Sequence, residues 1–252
     1  MGTDLAGFLG DLTGGGMLLA EEQEGVDFFI HELMPLTFLG DGVYLTTTHV
    51  CTLIVVLTIM IFAVVARIKL NKAKEIPDGF QNFLELVVET LDNFVHSTMG
   101  KMGSKYVNYI GALFMFIFLS NISGLFGLRP PTADYGTTLS LALISFVLIQ
   151  YCNVKNNKFG VVTDLFQPLP FLFPINLIGE FATPLSLSLR LFGNVMAGTV
   201  LLALFYGLLP WFAKLGIPAF LHGYFDLFSG AIQAYVFSML TMVFVSQKAE
   251  TE

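Results

Sequence analysis

Long apolar stretches constrain this chain more than any other feature. The first, Thr48 to Ala66, is 19 residues without a charge, close to the ~20 that carry a helix across ~30 Å of hydrocarbon. Further stretches fall at about 106–128, 137–152, 171–206 and 218–245. A lipid interior offers no water to backbone groups, so such stretches fold as helices. The expected fold is an all-α polytopic membrane protein with five crossings. Composition agrees, since 12% of the 252 residues are charged, against about 25% in soluble domains. There is no phosphate loop, dinucleotide fingerprint or zinc spacing. Catalytic residues, a metal site, a cofactor and nucleic-acid binding are therefore not expected. Cys51 and Cys152 both lie in apolar runs and read as buried free thiols.

The charges set the topology. Residues 1–45 hold eight acids and no Lys or Arg, so a signal peptide, which begins with a basic segment, is not expected. This part reads as an acidic external segment, with a short helix possible over Asp27–Phe38, ahead of a single membrane domain over 46–252. Arg67, Lys69, Lys72 and Lys74 follow the first stretch at once. By the positive-inside rule that end is cytoplasmic. Across all five crossings nine cations fall inside, while Arg129 and Lys214 fall outside. The N-terminus is thus placed outside and the C-terminus in the cytoplasm, in a bacterial plasma membrane. Residues 77–99 carry Phe80, Phe83, Leu84, Val87, Val88, Leu91, Phe94 and Val95 at spacings of three and four, opposite Gln81, Glu85, Glu89 and Asp92. That is an amphipathic helix on the cytoplasmic side. Its polar face is acidic, which favours a protein partner or hydrophobic docking over anionic lipid.

The last two stretches are too long for the membrane. At 36 and 28 residues they make helices of about 54 and 42 Å. Helices longer than the bilayer tilt, kink or protrude, so a tilted hairpin is expected.

One charge remains. Arg190 sits inside the fourth stretch, where an arginine costs between ~3 and ~15 kcal/mol at the bilayer centre, depending on the reference. Positions four and seven residues away share its helix face: Thr183, Ser186, Asn194 and Ala197. Asp226, Ser229, Gly230 and Gln233 make a similar stripe on the last helix. Blander readings exist for most of these. Small and polar residues in membrane helices often only pack. Asn121 and Gln233 read equally as cross-helix bonds, Asp226 and Glu180 as solvated acids, and Asp134 as a turn residue. Arg190 fits no such reading. A self-contained channel or secondary transporter built on Arg190, or a membrane scaffold, are the alternatives.

At these residues the chain resembles subunit a of F-type rotary ATP synthases. The signature is Leu187-Ser-Leu-Arg-Leu-Phe-Gly-Asn194 followed by Ala197-Gly198. Pro77-Asp-Gly-Phe-Gln81, Leu119-Ser-Asn-Ile-Ser-Gly124, Pro131-Thr-Ala-Asp134, Leu208-Leu-Pro-Trp211 and Ile232-Gln-Ala-Tyr-Val-Phe237 match in order. The resemblance implies a non-catalytic stator subunit, partnered by the c-subunit ring, the peripheral-stalk b subunits and the rest of the complex. It implies two offset half-channels, protons as the default ion with sodium open, and Arg190 facing each ring carboxylate. A guanidinium stays charged in proteins, favours the ionised form of an arriving carboxylate and repels cations that would leak between half-channels. Asn194 and Gln233 are implied as its polar partners. Two positions depart from the pattern. Thr199 stands where many relatives have Glu, and Asp226 where many have His. Asp226, joined by water and Asn121, is then the implied acid of the external half-channel.

Overall fold

The structure is a computed structural model that describes residues 32–35, 44–71, 79–157, 166, 170–208 and 216–249. Residues 1–31, Lys72, Lys74, Lys158, the link over 209–215 and the tail over 250–252 lie outside them.

A short antiparallel ribbon precedes the membrane body. Strand β1 (Glu32–Pro35) pairs with β2 (Tyr44–Thr46), Glu32 facing Thr46 and Pro35 facing Tyr44. The short helix expected over Asp27–Phe38 is thus a strand where it is described. The pattern Glu-Leu-Met-Pro ends in proline, which does not continue a helix.

Helix α1 (Thr47–Leu70) starts directly from the ribbon. The Thr46 hydroxyl and amide meet His49 Nδ1 at 2.6 and 3.4 Å, which ties off the helix start. Arg67 and Lys69 occupy its last turn, where cations suit the negative end of the helix dipole. Leu53, Leu57, Met60, Ile61 and Val64 are exposed, so this helix stands at the rim with its flank to lipid.

Helix α2 (Gly79–Met99) has the expected period, and the expected apolar face is buried at Leu84 and Val95, but not throughout. Leu84, Val95 and Met99 are buried together with Gln81, whose Nε2 donates to Glu85 Oε1 at 2.7 Å. Phe80, Phe83 and Val88 are exposed. In water such a face would be buried, but beside lipid an apolar face is already in its preferred medium. A 3-10 turn over Gly100–Met102 then reverses the chain, with Gly100 at φ 55, a left-handed conformation that favours glycine.

Helices α3 (Gly103–Ile122), α4 (Tyr135–Asn157) and α5 (Phe173–Leu208) follow. Between α3 and α4, Gly127 takes φ 71 and the Pro130–Pro131 pair opens a second 3-10 turn. Asp134 Oδ1 accepts from the Gly136 amide at 3.1 Å, so Asp134 is the turn residue expected. The final run is α6 (Ile217–His222), a π-helical segment over Gly223–Ser229 and α7 (Gly230–Ala249). Five helical runs are long and apolar enough to cross a membrane; α2 and α3 fall within one of them, over Gly79–Phe126, in which the chain turns at Gly100. The expected all-α body of five crossings is what the chain forms.

The core has two layers. Val95, Met99, Ile110, Ile149, Cys152, Met242 and Val245 form one. Leu113, Ile117, Ala142, Leu187, Leu191, Ala234 and Phe237 form the other. Both cysteines are free and buried, as expected, and Cys152 Sγ lies 3.1 Å from the Tyr106 hydroxyl. That contact brings the start of α3 to the end of α4. Asn156 Nδ2 donates to the Ala249 carbonyl at 3.0 Å, adding the end of α7. At the opposite end the starts of α1 and α4 share a groove lined by Thr48, His49, Asp134 and Thr137. The bundle therefore has a basic end, with Arg67, Lys69, Lys101, Lys105, Lys155 and Lys248. Arg129 is at the other end.

Candidate functional site

Arg190 lies midway along the 36-residue α5 and is exposed on the surface of the chain. Among the described residues it forms no hydrogen bond or ion pair. Ser186, one turn earlier, is also exposed, and Thr183 is partly so. Asn194, one turn later, turns inward instead, where its Oδ1 accepts from Ser229 Oγ at 2.7 Å. Arg190 and Ser186 thus share the exposed face, while Asn194 is held by the last helix.

On that helix the expected single face does not persist. The π segment includes Asp226 and Ser229, so α-helical spacing fails there and each polar residue takes its own neighbour. Such segments interrupt helices mostly at functional places. Asp226 packs against Gly124, whose added Cβ would meet the carboxylate carbon at 3.0 Å. Its Oδ2 is 2.8 Å from His222 Nδ1, with the aspartate side chain 17% and the histidine 32% exposed. Gln233 is buried, and its Nε2 has no partner within the described chain. A buried amide donor without a partner is costly.

Asn121 is a clamp. Its Nδ2 donates to the Gly230 carbonyl at 3.1 Å and its Oδ1 accepts from Thr132 Oγ1 at 2.8 Å. It is 3% exposed, which favours the cross-helix reading over contact with a moving ion. A Cβ at position 230 would lie 2.7 Å from Asn121 Cβ. Gly230→Ala is therefore expected to destabilise the α3–α7 seam by about 1–3 kcal/mol, the usual effect of overpacking. Heating the detergent-solubilised complex and following release of the chain checks this; wild-type resistance would mean that the seam relaxes freely.

Two large cavities open at opposite ends of the bundle. At the end away from the cations, a cavity of about 520 Å³ is lined by Arg129, Asp134, Thr199, His222 and Asp226 among others. Thr199 donates to the Met196 carbonyl at 2.9 Å. A small cavity of about 10 Å³, about the size of one water, continues from Asp226 to Asn194. At the basic end a cavity of about 710 Å³ is lined by Gln150, Asn153, Asn176, Glu180, Thr183 and Lys248. Glu180 Oε1 accepts from Lys248 Nζ at 2.6 Å and Oε2 from Gln150 Nε2 at 2.8 Å. Pro184, four residues on, has no amide to offer the Glu180 carbonyl, which adds a free acceptor to this region. Arg190 lines neither cavity. Along α5 it is about 15 Å from Glu180 and about 14 Å from Thr199.

A model of the ATP synthase A chain family matches residues 49–246. The chain belongs to this family. It is 40% identical over 230 residues to the ATP synthase subunit a, sodium ion specific, of Propionigenium modestum, covering 82% of this chain and 76% of that one. It is 38% identical over 237 residues to the ATP synthase subunit a of Priestia megaterium, covering 88% and 99%. The subunit a of Geobacter sulfurreducens is 36% identical over 199 residues, covering 77% and 85%. With the ATP synthase A chain family comes the ion-translocating stator role in a multi-pass membrane component of the complex. A self-contained channel is not favoured.

Two features of this family member escaped the sequence reading. His222 stands four residues before Asp226, a spacing that puts both on one helix face, and that signal was available. The Glu180–Lys248 pair joins residues 68 apart, and no local pattern announces it.

Proposed function

We propose that this chain is the non-catalytic stator subunit that delivers a cation to, and collects it from, a ring of carboxylate-bearing c subunits turning against Arg190. One observation carries the reading: Arg190 stands exposed, with no hydrogen-bond or ion-pair partner among the described residues, midway along α5 between two cavities that open at opposite ends and each hold a carboxylate. A guanidinium in lipid without an anion is strongly unfavourable, so the exposed position implies an anion from a partner. A ring carboxylate arriving there is held in its ionised form, giving up its cation. The same fixed charge repels cations that would pass straight from one cavity to the other.

The basic end is taken as cytoplasmic, by the excess of Lys and Arg on that side of plasma-membrane proteins. The cavity at the other end is then the external half-channel, with Asp226 as its acid and His222 as the group that orients it. Thr199 offers that path a hydroxyl but no charge. Asn194 and the unpartnered Gln233 amide flank the exchange point, and Ser186 lies on the ring-facing surface beside Arg190. Asn121 acts by holding the last helix in register. The exposed apolar face of α2 and the flank of α1 are the places left for peripheral-stalk b subunits and lipid. The cation is a proton by default, and sodium is the other member of the same class.

Cysteine labelling tests the two paths. In a chain with Cys51 and Cys152 replaced by alanine, Thr199→Cys is expected to react with a membrane-impermeant thiol reagent from outside the cell. Thr183→Cys is expected to react from the cytoplasmic face, in inverted vesicles. Labelling of both from one side would overturn the two-path reading.

A further inference from the structure

Glu180 is the only carboxylate lining the basic-end cavity among the described residues, and Lys248 the only cation. A cation crossing that cavity has one formal negative charge to meet, and both of its oxygens are engaged, one by Lys248 and the other by Gln150. The side chains of the pair are 28% and 29% exposed, so water reaches both. Lys248 sits in the last turn of α7, one residue before its end at Ala249. Its ammonium is a compact charge on a flexible four-carbon stem, able to leave the carboxylate and return. Arginine would hold the carboxylate with a planar fork instead, so a lysine makes the more readily opened pair.

We propose that Lys248 is a tethered counter-ion, occupying on Glu180 the position that the transported cation takes in transit through this cavity, and thereby setting the cavity's affinity for that cation. This rests on the reading of the cavity as the cytoplasmic half-channel. A bare carboxylate in a partly dry cavity would hold a cation and slow its departure. A carboxylate already paired with a built-in ammonium holds the travelling ion only in competition with it. The pair leaves the cavity without net charge, so the ion is neither trapped at Glu180 nor repelled along the whole passage. Ion flow here needs an exchange, with Lys248 swinging off as the cation arrives and back as it leaves.

ATP-driven pumping by the whole complex in inverted membrane vesicles tests this, because the cytoplasmic face is then outward. The pumping rate is measured against the concentration of the transported cation at that face. Lys248→Gln is expected to lower the half-saturating concentration about tenfold, as expected on removing an opposite charge at this distance, with the maximal rate within about twofold. Lys248→Arg, whose planar fork holds the carboxylate more firmly, is expected to raise the half-saturating concentration instead. Glu180→Gln is expected to raise the half-saturating concentration, and adding Lys248→Gln to it to lower it part of the way back, because the unpaired ammonium no longer repels the cation. A pair that merely ties α5 to α7 would lower the maximal rate or the amount of assembled complex and leave half-saturation in place. That result for Lys248→Gln, with Glu180→Gln impaired, would overturn the counter-ion role alone. A Glu180→Gln complex that pumps like the wild type would instead remove the cavity from the path, and the functional reading of that cavity with it.

Discussion

Replacing Arg190 with alanine is expected to abolish coupled ATP synthesis while the complex still assembles. The side chain is exposed and makes no hydrogen bond or ion pair among the described residues, so its removal opens no internal cavity and strands no buried partner. The loss falls on function. Without the guanidinium, nothing fixed opposes a ring carboxylate that keeps its cation, and nothing charged separates the two cavities. Synthesis driven by an imposed ion gradient in proteoliposomes is expected to fall at least about a hundredfold, equivalent to about 2.7 kcal/mol at the rate-limiting barrier. Passive ion leak through the complex is expected to rise. Arg190→Lys keeps the charge but loses the planar fork that matches a carboxylate, and an intermediate loss is expected for it. Coupled synthesis that survives in the alanine variant would end the role given to Arg190.

Asp226→Asn is expected to have the second largest effect. Asparagine is nearly isosteric, so the close contact with Gly124 and a hydrogen bond to His222 both survive. What goes is the ionisable group. The Thr199 hydroxyl does not ionise near neutral pH. Asp134 is the other described carboxylate lining this cavity, and it is held in its turn by the Gly136 amide. Ion-driven synthesis is expected to drop at least about tenfold, equivalent to about 1.4 kcal/mol at the barrier, with the amount of assembled complex unchanged. Near-normal synthesis would take Asp226 off the path.

The membrane body was legible because hydropathy acts over whole helices. Thr48–Ala66 and Phe171–Tyr206 were recovered to within a few residues as Thr47–Leu70 and Phe173–Leu208. The orientation of α2 was not legible, because periodicity shows that a helix has two faces but not which medium each meets. Gln81 went in and Phe80 went out for that reason. The strand at Glu32–Pro35 depends on a partner strand ten residues away, which a local helical reading does not contain. At the site, Arg190 stood out by energy alone, and its stripe followed from α-helical spacing. The stripe on the last helix was misread at Asp226 and Ser229, because α-helical spacing does not hold through a π segment. Asn121 was a choice between two roles that only its two hydrogen bonds could decide.

The exposed guanidinium also bears on how the protein is made. A chain released alone into the bilayer would carry a cation on the flank that faces lipid, at a cost of about 3 kcal/mol on insertion scales. That is a large share of the 5–15 kcal/mol that typically holds a folded domain together. On the role proposed for Arg190, that cost falls away once a partner bearing an anion covers this flank, so assembly itself adds to the stability of the subunit.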